Sequence, residues 1–186
     1  SVADLLGNGT ACIVWSSPLP AYAASPMKYI DLMGGRKPYV MKLYKNNQGK
    51  EVSLEYRSST YYYLKDKKEG KIWATKLAFP IQCVSRVETK ETCTNTLLIC
   101  EYSYHHGYYD QQEREFRGFG CVEQLDSESY DNYIRNNSAN IVSEPLHQPP
   151  VLTKTWYHTG AYPSCQGITD HFAKEYYKNS DYTENI

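Results

Sequence analysis

Two adjacent histidines and three nearby carboxylates are the residues of this 186-residue chain best suited to chemistry. His105 and His106 precede Asp110, Glu113 and Glu115, and such groups can serve as general acids and bases. An enzyme would also need a nucleophile, and no serine or cysteine stands in an elbow or triad-like context. It would further need one of the two histidines beside a carboxylate within one cleft. We therefore interpret the cluster as the charged turn of a β-hairpin.

The spacing of the two histidines also bears on metal binding. Successive side chains of a strand face opposite sides, so His105 and His106 lie on opposite faces of the sheet if the strand continues through them. Adjacent histidines on opposite faces cannot chelate one ion. Asp110 is expected to organise the turn that follows by accepting hydrogen bonds from backbone amides.

A second candidate site is the segment Asp4-Leu5-Leu6-Gly7-Asn8-Gly9, which is similar to calcium-binding loops. Such loops need oxygen ligands at alternating positions. Leu6 and Cys12 occupy positions where a calcium loop would offer oxygen. We interpret the segment as a glycine-asparagine turn without a bound ion.

The other histidines, His147, His158 and His171, are scattered through the second half of the chain. Trp156 and His158 could line a sugar-binding surface, but their spacing of two is also that of neighbours on one sheet face. The sequence therefore predicts no catalytic, cofactor-binding or metal-binding residue.

Alternating apolar and polar residues predict a mainly β fold, an antiparallel meander of hairpins that forms a curved sheet. One hairpin joins residues 39–44 to 51–56 through the turn 46–49. A second pairs 81–89 with 96–104, and the chain then returns through 116–124, where Gly118 and Gly120 permit a bulge or a close approach. One short C-terminal helix, about 169–178, is expected after a threonine cap.

Composition agrees with extensive sheet, since 19 of 186 residues are tyrosine. The net charge is −1, but residues 36–76 hold eleven basic and four acidic residues, or +7, against −8 for the rest. We interpret the basic residues as solvated strand faces plus one charged loop, residues 65–71. Without an RNA- or DNA-binding signature, nucleic acid is not an expected partner.

Six cysteines would allow fifteen pairings if all were oxidised. Cys83, Cys100 and Cys121 each stand in apolar, strand-like runs, where a free cysteine behaves as a small hydrophobe. No spacing suits zinc. Reduced thiols fit synthesis in a bacterial cytosol, and no signal peptide or membrane anchor is evident. The absence of an initiator methionine suits an excised fragment.

Four blocks of sequence resemble, in the same order, the middle region of the B subunits of bacterial Tc insecticidal toxin complexes and of the related SpvB-type and Rhs proteins. The resemblance rests on residues 4–20, with the Asp-Leu-Leu-Gly-Asn-Gly opening and Pro18-Leu19-Pro20, and on residues 29–35, 102–120 and 149–162. Residues 127–145 match that region poorly.

The resemblance implies a place in a larger machine, between a β-propeller and a β-sheet shell that encloses a toxic polypeptide. Residues 1–20 would be the remnant of a propeller-blade strand, 21–135 the β meander, 136–150 a polar linker and 151–186 a strand plus the C-terminal helix. Expected partners are the other shell segments, the translocation subunit and the enclosed effector, within an assembly that is made in the cytoplasm and secreted. The alternative is an autonomous β-rich module that binds glycans or a protein.

Overall fold

Antiparallel strands dominate the chain, as predicted. The computed structural model describes residues 1–93, 96–126, 143, 146, 149–161 and 165–178. Nine strands form two sheets within these residues, with strand orders β1-β2-β3 and β4-β5-β6-β7-β8-β9. Their bounds are β1 Val2–Ala3, β2 Cys12–Ser16, β3 Met27–Asp31, β4 Leu43–Lys45, β5 Lys50–Ser58, β6 Gln82–Glu91, β7 Thr96–Asp110, β8 Glu115–Asp126 and β9 Val151–Trp156.

The larger sheet is a continuous meander, because each of its strands pairs antiparallel with the next along the chain. Both predicted hairpins are present: β4 pairs with β5, and β6 with β7. The first strand of the first hairpin is shorter than predicted. Tyr39 lies in a turn and has a left-handed φ of 59°, and β4 begins only at Leu43.

The predicted boundary at residue 20 does not coincide with a change of sheet. β3 pairs with β2 from Cys12 opposite Asp31 to Ser16 opposite Met27, so the first sheet continues past that boundary. β9 likewise pairs with β8 and is part of the meander sheet. Most of the predicted linker, 136–150, lies outside the described residues.

The chain has a helix that the sequence did not predict, α1, Ser59–Lys68. Ser59, Tyr62 and Asp66 are its buried residues, at a spacing that places them on one helical face. Ser59 fastens its start, since the Ser59 N–H donates to Ile81 O at 2.7 Å and the Ile81 N–H donates to Ser59 Oγ at 3.0 Å. Part of the segment interpreted as a solvated charged loop is therefore helical, and Asp66 is 2% exposed.

The C-terminal helix, α2, is present at Cys165–Glu175. It begins four residues earlier than predicted, so Thr169 lies within the helix and is not its cap. Phe172 is its buried residue, at 4% exposure. Among its described side chains, Phe172 is the most deeply buried, and Ile168 and His171 are half-buried beside it.

The buried core lies under α1. It consists of Tyr62, Trp73 and Cys83, with partly buried Tyr104 and Phe119 packed against them. The ring centroids of Tyr62 and Tyr104 are 5.5 Å apart in an edge-on arrangement. The core thus joins α1 to β6, β7 and β8, the elements that position the candidate site.

Candidate functional site

A cavity of about 260 Å³ lies where α1, the connection after it, β7 to β9 and α2 meet. It gathers acidic, basic and histidine side chains that the sequence spreads over more than a hundred positions. Its lining residues are Asp66, Lys71, Trp73, His105, His106, Cys121, Glu123, Lys154, Trp156 and Glu175. Titratable side chains are therefore more closely grouped in this cavity than at the hairpin turn, where the sequence analysis placed the acid–base cluster.

The two adjacent histidines both line this cavity, which corrects the expectation that their side chains lie on opposite faces of the sheet. That expectation holds only for a regular strand, and His106 has a left-handed φ of 58°. The ring centroids of His105 and His106 are 6.3 Å apart. The local backbone therefore turns two successive side chains towards one space.

The carboxylates predicted to accompany these histidines remain at the hairpin turn. Asp110 Oδ1 accepts hydrogen bonds from the N–H groups of Gln112, at 3.0 Å, and Glu113, at 3.2 Å. This confirms its expected role in the turn. Glu115 Oε2 lies 3.3 Å from Arg117 Nε. The turn is thus a structural feature separate from the cavity.

Asp66 and His105 form the tightest polar contact of the cavity. His105 Nδ1 lies 2.5 Å from Asp66 Oδ2, and the same oxygen accepts the indole N–H of Trp73 at 2.6 Å. Burial works against ionised Asp66, but the hydrogen bonds from His105 and Trp73 outweigh it and lower the pKa of this carboxyl. Asp66 therefore holds the side chains of β7 and of the connection after α1 together.

Glu123 is the second carboxylate beside His105. Its Oε2 lies 3.8 Å from His105 Nε2, which is a charge contact rather than a hydrogen bond. Burial favours neutral His105, but Asp66 and Glu123 reverse this and raise its pKa to about 9. His105, together with Lys154 at 2.7 Å, lowers the pKa of Glu123 to about 2. His105 is therefore an imidazolium between two carboxylates at neutral pH.

His106 has a different environment and a different charge. Its Nδ1 accepts the Ala74 backbone N–H at 3.0 Å, so in the neutral ring the proton is on Nε2. That nitrogen lies 3.2 Å from Glu175 Oε1. Burial lowers the pKa of His106, so this ring is neutral beside a charged neighbour.

His106, His171 and Glu175 converge as metal ligands can, since their ligand atoms all lie within 4.8 Å of one another. A histidine that binds a metal through Nε2 normally donates its Nδ1–H to an acceptor. Nδ1 of His106 instead faces the N–H of Ala74. The three residues therefore fit a hydrogen-bond cluster and not a metal centre.

Nucleophilic catalysis also does not fit the cavity. Among the described residues that line the cavity, Cys121 is the only one with a thiol or hydroxyl side chain. Burial raises the pKa of that thiol to about 12. A thiol of that pKa is protonated at neutral pH and is a poor nucleophile. The cavity does contain a histidine beside a carboxylate, His105 with Asp66, as an enzyme would need. Among the described lining residues, however, no activated nucleophile lies beside that pair.

The calcium-like loop is closed by groups of the chain itself. The two carboxylate oxygens of Asp4 accept the backbone N–H groups of Asn8, at 3.1 Å, and Gly9, at 2.7 Å. The Lys37 ammonium group donates to Gly9 O at 2.9 Å. Backbone amides and a lysine thus occupy oxygens that a calcium ion would require.

A second concave surface, also lined by Trp73, is an aromatic groove of about 450 Å³ whose other lining residues include Tyr63, Phe79, Pro80 and Tyr109. The rings of Phe79 and Tyr109 meet edge-on with centroids 4.9 Å apart. Trp156 and His158 do not share a strand face, because β9 ends at Trp156. Among the described residues, the groove is thus one concave surface that brings several aromatic rings together.

The cysteines of the described side chains are free thiols, at positions 12, 83, 93, 100 and 121. Cys83 and Cys121 are buried, as their apolar settings predicted, and Cys100 is half-buried. Burial raises the pKa of Cys83 to about 12. In the part of the chain that the structure describes, no helix is long and apolar enough to span a bilayer.

Fold and site together define a mainly antiparallel β protein whose polar cavity is built from structural hydrogen bonds and ion pairs. The chain belongs to the family described as the insecticide toxin TcdB middle/N-terminal region, whose family model matches residues 1–160. No curated protein gave a significant match.

Solved structures of Tc toxins have the same fold. The chain is 30% identical to a chain of TcdB2-TccC3 without its hypervariable C-terminal region, with a TM-score of 0.74 over 97% of this chain. It is 31% identical, with a TM-score of 0.74, to a chain of the Photorhabdus luminescens Tc holotoxin pore and to one of TcdB2-TccC3-Cdc42, over 97% and 96% of its length. It spans 8% of each of those chains.

Sequence reasoning missed Asp66, Glu123, Lys154 and Glu175 as members of the site. Asp66 stands among lysines and reads as a solvated residue, while the others are single charges on strands or a helix. Helix α1 carries no apolar periodicity that could have revealed it, since two of its three buried residues, Ser59 and Asp66, are polar. The remaining contacts depend on strand register, which the sequence alone does not specify.

Proposed function

We propose that this chain is a non-enzymatic structural segment of a Tc-type toxin and contributes strands to the β-sheet shell that encloses a toxic polypeptide. The observation that supports the proposal is that, among the described residues, the sheets have unpaired edge strands and exposed apolar side chains. β4 and β9 are the edges of the larger sheet. On β9, Val151 and Leu152 are 57% and 51% exposed. Open edges with apolar side chains are sites for pairing with further strands.

The smaller sheet is uncovered in the same way. Val2, Ile13 and Ile30, which pair in register across β1, β2 and β3, are 70%, 41% and 53% exposed. An apolar surface of this kind marks a contact with other protein. In this proposal the neighbours are the preceding and following segments of a B subunit, and the contacts with the translocation subunit and the effector belong to the whole assembly. That assembly is secreted and acts outside the bacterium.

The cavity has a mechanical role in this proposal. The Asp66–His105–Glu123–Lys154 ion-pair network ties α1 to three adjacent strands, and Glu175 ties α2 to the same place. The Asp66–His105 pair of this network is buried and favours one arrangement of the packed elements, because the loss of either partner would leave an uncompensated charge. The network thus keeps one face of the sheet rigid while its edges stay open.

Light scattering during size-exclusion chromatography tests the dependence on neighbours. The isolated 186-residue chain should elute as polydisperse oligomers, and Leu152→Lys on edge strand β9 should shift it towards the monomer. Tyr177→Lys is the matched control, because Tyr177 is 88% exposed but lies outside the sheets. A monodisperse monomer of the unmodified chain would contradict the proposal.

An autonomous binding module for glycans or a protein is the second candidate, and the aromatic groove beside Trp73 favours it. Stacked and edge-on aromatic rings are the surfaces on which sugar rings pack. That function requires a compact monomer that retains the groove. The same light-scattering measurement therefore separates the two candidates.

A further inference from the structure

A third cavity, of about 330 Å³, lies between α1 and the sheet, at the place where β6 separates from β7. The pairing of these two strands ends at Arg86 opposite Glu101. Just beyond that point Tyr62 of α1 donates its hydroxyl to Tyr102 O at 3.1 Å, which holds the helix over the gap. The cavity is therefore enclosed by α1 and by side chains of β5, β6 and β7.

A β-bulge directs two successive residues of β6 towards this cavity. Glu55 of β5 pairs with Arg86, but the next residue of β5 pairs with Val84. Ser85 is therefore the extra residue of the bulge. Both Ser85 and Arg86 line the cavity, although neighbours on a regular strand face opposite sides. Bulges that re-aim side chains in this way are common beside active sites.

Ser85 brings a buried hydroxyl to the cavity. The residue is 8% exposed, and its Oγ has no hydrogen-bond partner among the described residues. A buried hydroxyl without a partner costs free energy, because the hydrogen bonds that it makes to water in the unfolded chain are not replaced. An occupant of the cavity that offers a hydrogen-bond acceptor would satisfy this group.

The charged side chains of the lining indicate that the occupant is an anion. Arg86 Nη1 lies 2.9 Å from Glu101 Oε1, so these two charges compensate each other. Two cations, Arg57 and Lys65, then stand against one carboxylate, Glu55, which leaves a balance of +1. A single carboxylate matches this balance, whereas a phosphate group carries close to two negative charges at neutral pH.

Arg57 is already positioned for such a ligand. Its guanidinium carbon lies over the ring of Tyr61, 4.4 Å from the centroid. A guanidinium group held on an aromatic face keeps N–H donors at its edge, and those donors match the two oxygens of a carboxylate. Lys65 follows Tyr61 by four residues on α1 and therefore lies on the same side of the helix.

We propose that this cavity is a carboxylate-binding subsite, in which Arg57 and Lys65 neutralise the carboxylate and Ser85 donates a hydrogen bond to it. The carboxylate belongs either to an aspartate or glutamate side chain of another polypeptide or to a free small molecule, since these groups recognise both alike. Binding makes and breaks no covalent bond. This inference concerns the chain by itself and does not rest on the proposed function.

Hydrogen exchange of the 186-residue chain at pH 7 and constant ionic strength tests the subsite. The probes are acetate and N-acetylglutamate N-methylamide, with N-acetylglutamine N-methylamide as the neutral counterpart. A ligand that binds only the closed site raises protection by the factor 1 + [L]/Kd, so a Kd on the order of 10 mM gives about a sixfold rise at 50 mM. We expect this rise at amides 84–86 and 101–103 with the carboxylates, and none with the glutamine compound.

The two carboxylates also distinguish the sources of the ligand. A larger rise with the blocked glutamate than with acetate assigns the subsite to an acidic side chain of a polypeptide. An equal rise assigns it to a free small carboxylate. Both results support the subsite.

Substitutions separate binding from a structural role. Arg57 is exposed, so Arg57→Gln should fold and should abolish the rise. Lys68→Gln, the matched control, removes a cation of α1 that does not line the cavity and should preserve it. Ser85→Ala should reduce the rise without lowering the melting temperature of the free chain, because it removes an unsatisfied hydroxyl.

The absence of a rise with both carboxylates would overturn the proposal, and so would a rise that persists in Arg57→Gln. A lower melting temperature of Ser85→Ala would show that its hydroxyl stabilises the free chain, which contradicts its role as a donor to a ligand. An equal or larger rise with inorganic phosphate at the same concentration would contradict the assignment to a carboxylate.

Discussion

Gly120 on β8 lies directly beneath Phe172 of α2. A β-carbon at Gly120 would be 2.7 Å from Phe172 Cζ and 3.1 Å from His106 Cβ. Two residues away, Gly118 has a left-handed φ of 92°, and the register shifts between Tyr108 and Tyr109 opposite it. The predicted bulge is thus confirmed at Gly118, while Gly120 admits the ring of the docked helix.

Gly120→Ala should therefore displace α2. The added methyl group overlaps a buried aromatic ring, and overpacking of this kind costs about 1–3 kcal/mol of unfolding free energy. Hydrogen exchange should show loss of protection at 165–175, with β5 to β7 unchanged. Gly167→Ala is the control, since that position is open and lies within α2; it should stabilise the helix by about 0.5–1 kcal/mol. Equal protection of α2 in both variants would contradict the packing described.

Asp66→Asn should destabilise the chain strongly. It removes the carboxylate that accepts both His105 and Trp73, and leaves a buried imidazolium with Glu123 alone. Removal of one partner of a buried ion pair costs about 3–5 kcal/mol. Chemical denaturation followed by tryptophan fluorescence measures the change. Lys68→Ala, on the exposed side of the same helix, should have little effect; a similarly small effect of Asp66→Asn would mean that the pair is not formed.

The raised pKa of His105 predicts a loss of stability in alkali. His105 binds its proton more tightly in the folded chain than in the unfolded one. Its contribution to the free energy of unfolding is therefore fully present below its ordinary pKa of 6.5 and is lost as pH rises from 6.5 through about 9. The loss is on the order of 2–3 kcal/mol. Unfolding free energies measured at pH 6.5 and 9.5 should differ accordingly, and His105→Gln should flatten the difference. A chain equally stable at both values would exclude a charged His105.

The lowered pKa of Glu123 predicts a loss of stability in acid. Its pKa is lowered to about 2, so the stability it contributes is present above 4.5 and is lost as pH falls from 4.5 towards 2. The melting temperature of Glu123→Gln should therefore depend less steeply on pH over this range than the melting temperature of the unmodified chain. Glu113→Gln, in the hairpin turn, should follow the unmodified chain, and a response of both variants alike would point to a different carboxylate.

Asp4→Ala should loosen the turn that precedes β2. The variant removes the acceptor of the Asn8 and Gly9 amides, at a cost of about 0.5–1.5 kcal/mol, since both hydrogen bonds are exposed. Addition of calcium should leave the melting temperature of the unmodified chain unchanged, since Lys37 occupies the loop. A calcium-dependent rise of several degrees would contradict this account of the turn.

The sequence predicted the meander because the alternation of β5 to β8 is local and turn residues separate the strands. It missed α1 because Tyr61, Tyr62 and Tyr63 favour strands, and burial of Tyr62 and Asp66 against the sheet overrides that preference. The site could not be predicted, since it depends on the left-handed φ of His106. It also depends on contacts between His105 and Asp66, 39 positions apart, and between His106 and Glu175, 69 positions apart. Periodicity carries no information on contacts at that separation.

Hydrogen exchange along the strands of the isolated chain at neutral pH is the most direct test of the central claim, that these sheets are completed by neighbouring segments. We expect strong protection at β6 to β8 and weak protection at edge strands β4 and β9 and throughout β1 to β3, because their uncovered faces and open edges allow local unfolding. Uniform protection of all nine strands in a monomer would contradict the claim and would favour a self-sufficient module.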